Sequence, residues 1–314
     1  MKLICKNCKD SFDAATDGFA GFCMLCSAPM AGDFSGGLID EFQVLAEIGR
    51  GNNGAVFLAL QHGVNRMVAL KLMLEESLAA PDAAAVFFSE ARAVAKLNHP
   101  HIIRAIAAGK MESGNFYFAM ELVDGPSVEQ LLDLNGAIPY AETLRIGVQI
   151  SQAMAYAWGK AGLIHGDIKP GNIIMHDNVS PKIADLGLAQ FHRVIPGEIM
   201  ATPLYAPPEV IRADFENMGP LSDIYSFGAT LYEMFSGDPP FPGNDINAVL
   251  QMQLEQPPLL LPEKLGLFPA ETAAFIDRML AKNYADRPQS WDEVADTLAE
   301  LAAADKWSHA DTQA

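Results

Sequence analysis

Cationic charge is scarce in this 314-residue chain: 21 Lys and Arg stand against 39 Asp and Glu, a formal net charge of −18. Binding along a nucleic-acid backbone needs clustered Lys and Arg, so nucleic acid is not an expected partner. A local basic pocket for a nucleotide is compatible with that total. Long apolar runs are also missing. None approaches the roughly 20 residues that span a bilayer, and no membrane partner is expected. The opening MKLICKNCKD turns charged too soon for a signal peptide, which sets the expectation of a soluble, cytoplasmic protein. Beyond these absences the composition is ordinary: 50% hydrophobic and 19% charged residues, with length for two or three units with cores of their own.

Cysteine is absent after residue 26. All four, Cys5, Cys8, Cys23 and Cys26, form two C-x-x-C pairs separated by 14 residues. Two residues between thiolates let a tight knuckle aim both sulfurs at one ion, and two knuckles complete a tetrahedron. The spacer falls just short of the usual zinc-ribbon range. A segment this short cannot bury enough apolar surface to fold alone, so a staple is expected, and Zn2+ is the expected one. Iron held by the same thiolates and disulfides are the alternatives. Four thiolates leave no open coordination position, so the ion would hold the fold, and the surface it orders could take a protein partner. Residues 27–41, SAPMAGDFSGGLIDE, read as a linker, flexible around Gly36 and Gly37.

From Phe42 the pattern changes. Val44, Ala46 and Ile48 alternate with polar residues, and Val56, Leu58 and Leu60 do the same, which predicts two strands flanking a glycine turn. The turn contains Gly49, Gly51 and Gly54 followed by Val56. A dinucleotide fingerprint needs its last glycine to open a helix, whereas a β-like run follows here and ends in VALK at Lys71. A lysine in an apolar strand is costly unless its ammonium finds an anion. Downstream, Pro81 suits a first helical turn, and Phe87, Ala91, Val94 and Leu97 form an apolar stripe. Glu90 lies beside that stripe and can face inward, which pairs it with Lys71 in expectation.

With these motifs in order, residues 42–304 resemble a Hanks-type Ser/Thr protein kinase domain. The resemblance implies an α+β, bilobal kinase fold: a small β-rich lobe at about 42–123 and a large helical lobe at about 124–304. A zinc-ribbon-like module (1–26) would precede it and a short tail (305–314) follow. It implies ATP and Mg2+ as cofactors. Val56 and Ala69 would roof the adenine, with Gly49, Gly51 and Gly54 over the phosphates. Met120 would be the gatekeeper, the backbone of Glu121 and Val123 would read the adenine, and Ser127 would lie near the ribose. Ile174 would floor the adenine, and Lys71, oriented by Glu90, would meet the phosphates.

The stretch LIHGDIKPGNIIM, Leu163 to Met175, places Asp167 and Asn172 five residues apart, a spacing that serves phosphoryl transfer. The resemblance implies that Asp167 orients the acceptor hydroxyl and Lys169 neutralises the moving phosphoryl group, while Asn172 and Asp185, in Asp185-Leu186-Gly187, hold magnesium. His-Gly-Asp also resembles small-molecule kinases. Lys169 and ATPLYAPPEV, with Thr202, Tyr205, Pro208 and Glu209, turn the reading to a protein kinase of Ser/Thr acceptors. Arg287 is expected to pair with Glu209, Ser222 and Asp223 to cap a helix, and Val94, His165 and Leu186 to join an apolar stack. Gly166 stands where such kinases usually carry an Arg that binds an activation-loop phosphate. Residues 187–201 contain no Ser, Thr or Tyr, so phosphate and receptor are missing together. The expectation is an active Ser/Thr protein kinase independent of activation-loop phosphorylation, its protein substrate unknown. A pseudokinase scaffold and a small-molecule kinase are the alternatives.

Overall fold

The computed structural model describes residues 2–4, 11–13, 38–51, 54–73, 83–111, 115–177, 179–186, 202–214, 216–243, 245–258 and 269–304. The cysteine pairs, most of the linker, Pro81, residues 187–201 and the tail lie outside the described residues. The described residues divide into two compact units. One runs to Ala95 and adds Arg104–Val123, and the other comprises Lys96–Ile103 and the residues from Asp124 onward.

The first unit is built on a six-stranded antiparallel sheet. Its order is β3 (Leu38–Ile39), β4 (Phe42–Gly51), β5 (Gly54–Gln61), β6 (Arg66–Met73), β8 (Phe116–Glu121), β7 (Ala105–Lys110). A separate hairpin pairs β1 (Lys2–Ile4) with β2 (Ser11–Asp13). The end of the expected linker is in fact docked: Leu38 and Ile39 pair with Gln43 and Phe42, and Ile39 joins the core. Ile39 is buried there, and removing its apolar surface from water favours the docked arrangement. Asp40 follows, accepting a hydrogen bond from the Tyr117 hydroxyl.

The two predicted strands form, and the register shows which faces they present. The packed core holds Phe42, Val44, Ala55, Phe57, Ala59, Val68, Leu70, Tyr117 and Ala119. On β5 this is the set alternating with Val56 and Leu58, which fall on the opposite face. On β4 the register shifts between Val44 and Ala46 and between Glu47 and Gly49, and Ile48 ends up exposed. A bulge inserts a residue and breaks strict alternation, which a period-2 reading cannot foresee. Helix α1 (Ala83–Val94) buries Phe87, Glu90, Ala91 and Val94, the stripe its periodicity gives.

The second unit is helical: α2 (Val128–Asn135), α3 (Tyr140–Ala161), the short α4 (Pro208–Ile211), α5 (Pro220–Ser236), α6 (Ile246–Glu255), α7 (Ala270–Met279) and α8 (Trp291–Ala304). Helix α3 ends where expected, at Gly162 with φ +62°, a left-handed cap natural to glycine. Helix α5 is the centre, buried from Ser222 to Tyr232 without interruption. The hairpin of β9 (Ile173–His176) and β10 (Ser180–Ile183) lies beside the loop that carries Asp167. Among the described residues no helix is long and apolar enough to cross a membrane.

Candidate active site

In the first unit the register assembles the sequence-derived residues. Gly49 pairs with Val56, Val56 with Lys71, and Lys71 with Phe118; one step along, Leu58 pairs with Ala69 and Ala69 with Met120. Cross-strand partners share a face, so Val56, Ala69, Lys71, Phe118 and Met120 occupy the sheet face opposite the core cluster. Gly54 opens β5 at φ +125°, where a Cβ would meet the Leu72 carbonyl oxygen at 2.0 Å, so only glycine fits. A strand therefore follows the glycine turn, as the rejection of a dinucleotide fingerprint required. Glu121 closes β8, giving its N–H to the Arg104 carbonyl (2.9 Å), and Val123 is the last residue of this unit.

Lys71 is buried, 4% exposed. The expected pairing with Glu90 does not form. Glu90 Oε2 is buried with no hydrogen-bond partner, and desolvation pushes the carboxyl up to about 8 with no cation pulling it back. Helical periodicity correctly turned Glu90 inward, but it cannot specify what an inward side chain meets.

The second unit holds the polar loop. Its Asp167 carboxylate is surrounded by donors: Lys169 Nζ at 2.6 Å from Oδ2, Thr202 Oγ1 at 3.0 Å from Oδ1, and Asn172 Nδ2 at 3.3 Å from Oδ2. Lys169 Nζ also donates to Thr202 Oγ1 (2.9 Å), closing a ring of three side chains. Asn172 donates to the Asp167 carbonyl (2.7 Å). With the amide nitrogen so engaged, its oxygen is the group left for a cation. Asn172 sits in a single 3₁₀ turn, Pro170–Asn172, and its carbonyl accepts from the Ala184 N–H (2.8 Å), which ties the loop to the residue before Asp185. Asp185 takes φ +58° and Leu186 is buried. Ile174 bridges to Ser127, whose hydroxyl caps α2 by accepting the Gln130 N–H (3.2 Å).

His165 is fully buried. Its Nδ1 accepts the Asp167 N–H (3.2 Å), so its Nε2–H donates to the Ala184 carbonyl (2.8 Å). Both ring nitrogens are spent inside the fold, which makes His165 a packing and hydrogen-bonding residue, as expected. Of the expected capping pair, Ser222 does cap: helix α5 begins at Pro220 and Ser222 Oγ accepts the Gly219 N–H (3.2 Å), whereas the Asp223 carboxylate accepts the backbone N–H groups of His165 (2.6 Å) and Gly166 (2.7 Å). Burial pushes this carboxyl up, against the pull of His165 and the two N–H groups. An Asp inside an otherwise apolar helical run was the available signal. Gly166, between these anchors, has φ +80°.

The segment after residue 201 is fixed by three further contacts. Arg287 grips Glu209 with both nitrogens (2.7 and 2.9 Å), as expected. Tyr205 donates to Glu233 Oε2 (2.5 Å), and Gln253 Nε2 donates to the carbonyls of Pro203 (3.2 Å) and Leu204 (2.8 Å). Glu233 and Gln253 lie far along the chain, and no spacing rule pointed to them.

The donors suit the cofactors that the resemblance implied. Carboxylate and amide oxygens match a hard divalent cation such as Mg2+. Among the described residues no three His, Cys, Asp or Glu stand together as a metal cluster; the four cysteines lie outside them.

Comparison with known proteins gives the family of the chain. The protein kinase domain model matches residues 42–299. Serine/threonine-protein kinase PknK of Mycobacterium tuberculosis is 32% identical over 266 residues, covering 83% of this chain and 23% of PknK. PknA of the same organism is 34% identical, covering 85% of this chain and 62% of PknA. Pkn3 of Myxococcus xanthus is 32% identical, covering 85% and 50%. The chain thus spans less than two thirds of the length of these curated relatives. The crystal structure of the M. tuberculosis PknI kinase domain superposes with a TM-score of 0.69 at 27% identity, covering 86% of this chain and 98% of that domain.

Proposed function

The chain belongs to the protein kinase domain family, and on that premise we propose that it transfers the γ-phosphoryl group of ATP to Ser or Thr hydroxyls of a protein substrate. The observation that carries this reading is the ring of Asp167, Lys169 and Thr202, with Asn172 bracing Asp167. A carboxylate locked by several donors keeps one orientation towards an acceptor hydroxyl, and such positioning contributes about 10²–10⁴ in rate. Lys169 stands beside it, placed to offset charge as the phosphoryl group moves. Asn172 and Asp185 would hold magnesium, which supplies charge neutralisation at the phosphates. In the first unit, Gly49, Gly51 and Gly54 would cover the phosphates and Val56 and Ala69 the adenine. Lys71, with Glu90 turned to it in the active state, would engage the phosphates.

Gly166 and a stretch 187–201 without a hydroxyl support independence from activation-loop phosphorylation. Phosphatase treatment should leave activity unchanged, and a large loss would sink that part. For the transfer itself, label from γ-labelled ATP should reach a generic protein acceptor with Mg2+. Asp167→Asn should lose at least about a hundredfold. ATP binding without any transfer in magnesium or manganese would favour the scaffold reading. That reading draws support from one observation, the buried Glu90 oxygen with no partner. The small-molecule kinase reading is weakened by Lys169 and by the anchored segment after residue 201.

For the N-terminal module the proposal is a Zn2+ staple on Cys5, Cys8, Cys23 and Cys26. The β1–β2 hairpin supports it, since the six residues between the paired strands include Cys5 and Cys8, the sequence form of a knuckle. Elemental analysis of the purified chain tests it and separates zinc from iron. A cytoplasmic location and a protein partner for this module complete the proposal. Deleting residues 1–41 and comparing activity with partner capture separates recruitment from a purely structural module.

A further inference from the structure

A cavity of about 340 Å³ opens in the second unit, lined by Pro257, Pro258, Asp277, Leu280, Ala281 and Lys282. That volume lies in the range of small-molecule sites, about 300–1,000 Å³. Pro257, Pro258, Leu280 and Ala281 make its walls mostly apolar. Asp277 and Lys282 share it without pairing with each other; burial pushes the Asp277 carboxyl up, and burial with the charges of Arg287 and Arg212 pushes the Lys282 ammonium down to about 7. Asp277 Oδ1 is buried with no hydrogen-bond partner. Lys282 Nζ donates to the Tyr225 hydroxyl (3.0 Å) and lies 4.1 Å from the Phe241 ring centroid. An ammonium has three donors, so capacity remains.

A buried acceptor without a partner is costly unless something fills it, and the half-buried Lys282 ammonium offers spare donors in the same cavity. A simple anion would leave Asp277 unsatisfied, and a simple cation would be repelled by Lys282. We propose that this cavity binds a small apolar zwitterion of the α-amino-acid class, its carboxylate on Lys282, its ammonium on Asp277 and its side chain against Pro257, Pro258 and Leu280.

The site has a route to the segment after Thr202. Lys282 donates to Tyr225, Tyr225 donates to Gln253, and Gln253 holds the carbonyls of Pro203 and Leu204. An occupant that draws on the Lys282 ammonium therefore changes the end of a chain that fixes residues 203–204. The consequence for activity, a changed KM for protein substrate at constant KM for ATP, rests on the kinase reading above; the binding itself does not.

Titration calorimetry on the full chain with L-leucine and L-phenylalanine tests the site. At least one should bind saturably. Leucinamide, which lacks the carboxylate, and N-acetyl-leucine, which lacks the ammonium, should each bind at least about tenfold more weakly. The near-isosteric Asp277→Asn and Lys282→Gln variants should show the same loss for the parent amino acid. No saturable binding up to about 10 mM overturns the proposal, as does equal binding by the analogues or by both variants. Binding with an unchanged KM for protein overturns the coupling alone. If the chain transfers no phosphate at all, the calorimetric result still decides the site.

Discussion

Glu209 in the second unit is gripped by both terminal nitrogens of Arg287, whereas Glu90 in the first unit keeps an oxygen buried with no hydrogen-bond partner. Burial pushes both carboxyls up. At Glu209 the Arg287 hydrogen bonds and charge outweigh it and the group ends below its ordinary value; at Glu90 nothing does, and it rises to about 8. The same residue type at similar depth is thus a fixed strut in one unit and an unsatisfied group in the other. A partnered buried carboxylate reports a completed structure, and an unpartnered one reports a group waiting for a proton or a cation.

The most drastic way to break the contrast is to make Glu209 resemble Glu90. Arg287→Ala removes a guanidinium that is fully buried and leaves the Glu209 carboxylate, 3% exposed, without its cation. Breaking a buried pair from one side costs about 3–5 kcal/mol. Urea unfolding of the variant should show a loss of that order, and Arg287→Lys should recover only part of it, because a lysine cannot make the two-pronged contact. A loss within about 0.5 kcal/mol, the size of an ordinary surface substitution, would mean that the pair is not the strut described.

The next test sets the two glutamates against each other through pH. For Glu90 the folded value, about 8, lies above the ordinary 4.5, so the folded chain holds the proton more tightly than the unfolded chain between those values. Stability then falls as pH rises from about 4.5 to about 8 and levels off above. Each unit of displacement sets a ceiling of about 1.4 kcal/mol, reduced wherever water reaches the group. Glu209 has the opposite sign: its folded value is depressed, so its contribution is present above 4.5 and lost as pH falls through the lower folded value. Glu90→Gln should flatten the slope of stability between pH 5 and 8, measured by urea unfolding at several pH values. If the active state turns Glu90 to Lys71, saturating ATP and Mg2+ should flatten the same slope in the wild type. A slope unchanged by both treatments would remove Glu90 as its source.

The difference between the two glutamates also marks where sequence reasoning stops. Arg287 and Glu209 were paired in advance because the resemblance supplies that pair. The helices were legible from their own residues: α3 has helical apolar spacing and a stopping Gly162, and α7 and α8 repeat the pattern. The sheet was legible as strands but not as faces, since the shifts around Leu45 and Ile48 depend on how β4 meets β5. Glu90 was legible as inward-facing but not as unpaired. Its surroundings are tertiary, and no local pattern encodes them. Asp223 was read as a cap because Ser-Asp before an apolar run usually is one; its true partners, the N–H groups of His165 and Gly166, lie 58 and 57 residues away.

Asp223 is the intermediate case between the two glutamates, a buried carboxylate held by backbone N–H groups rather than by an arginine, and it yields the smallest expected effect. The two N–H groups fix the backbone of residues 165 and 166, and Gly166 meets that constraint at φ +80°. Glycine takes this region freely, while an L-residue there costs about 1–2 kcal/mol. Gly166→Ala should therefore lose about 1 kcal/mol in urea unfolding with the Asp223 anchor intact. Gly166→Arg should lose a similar amount and gain no phosphate dependence, because residues 187–201 offer no hydroxyl to phosphorylate. Were Gly166→Ala neutral, the conformation at residue 166 would relax on substitution. The glycine would then reflect the missing phosphate receptor alone, and the backbone clamp would not be what requires it.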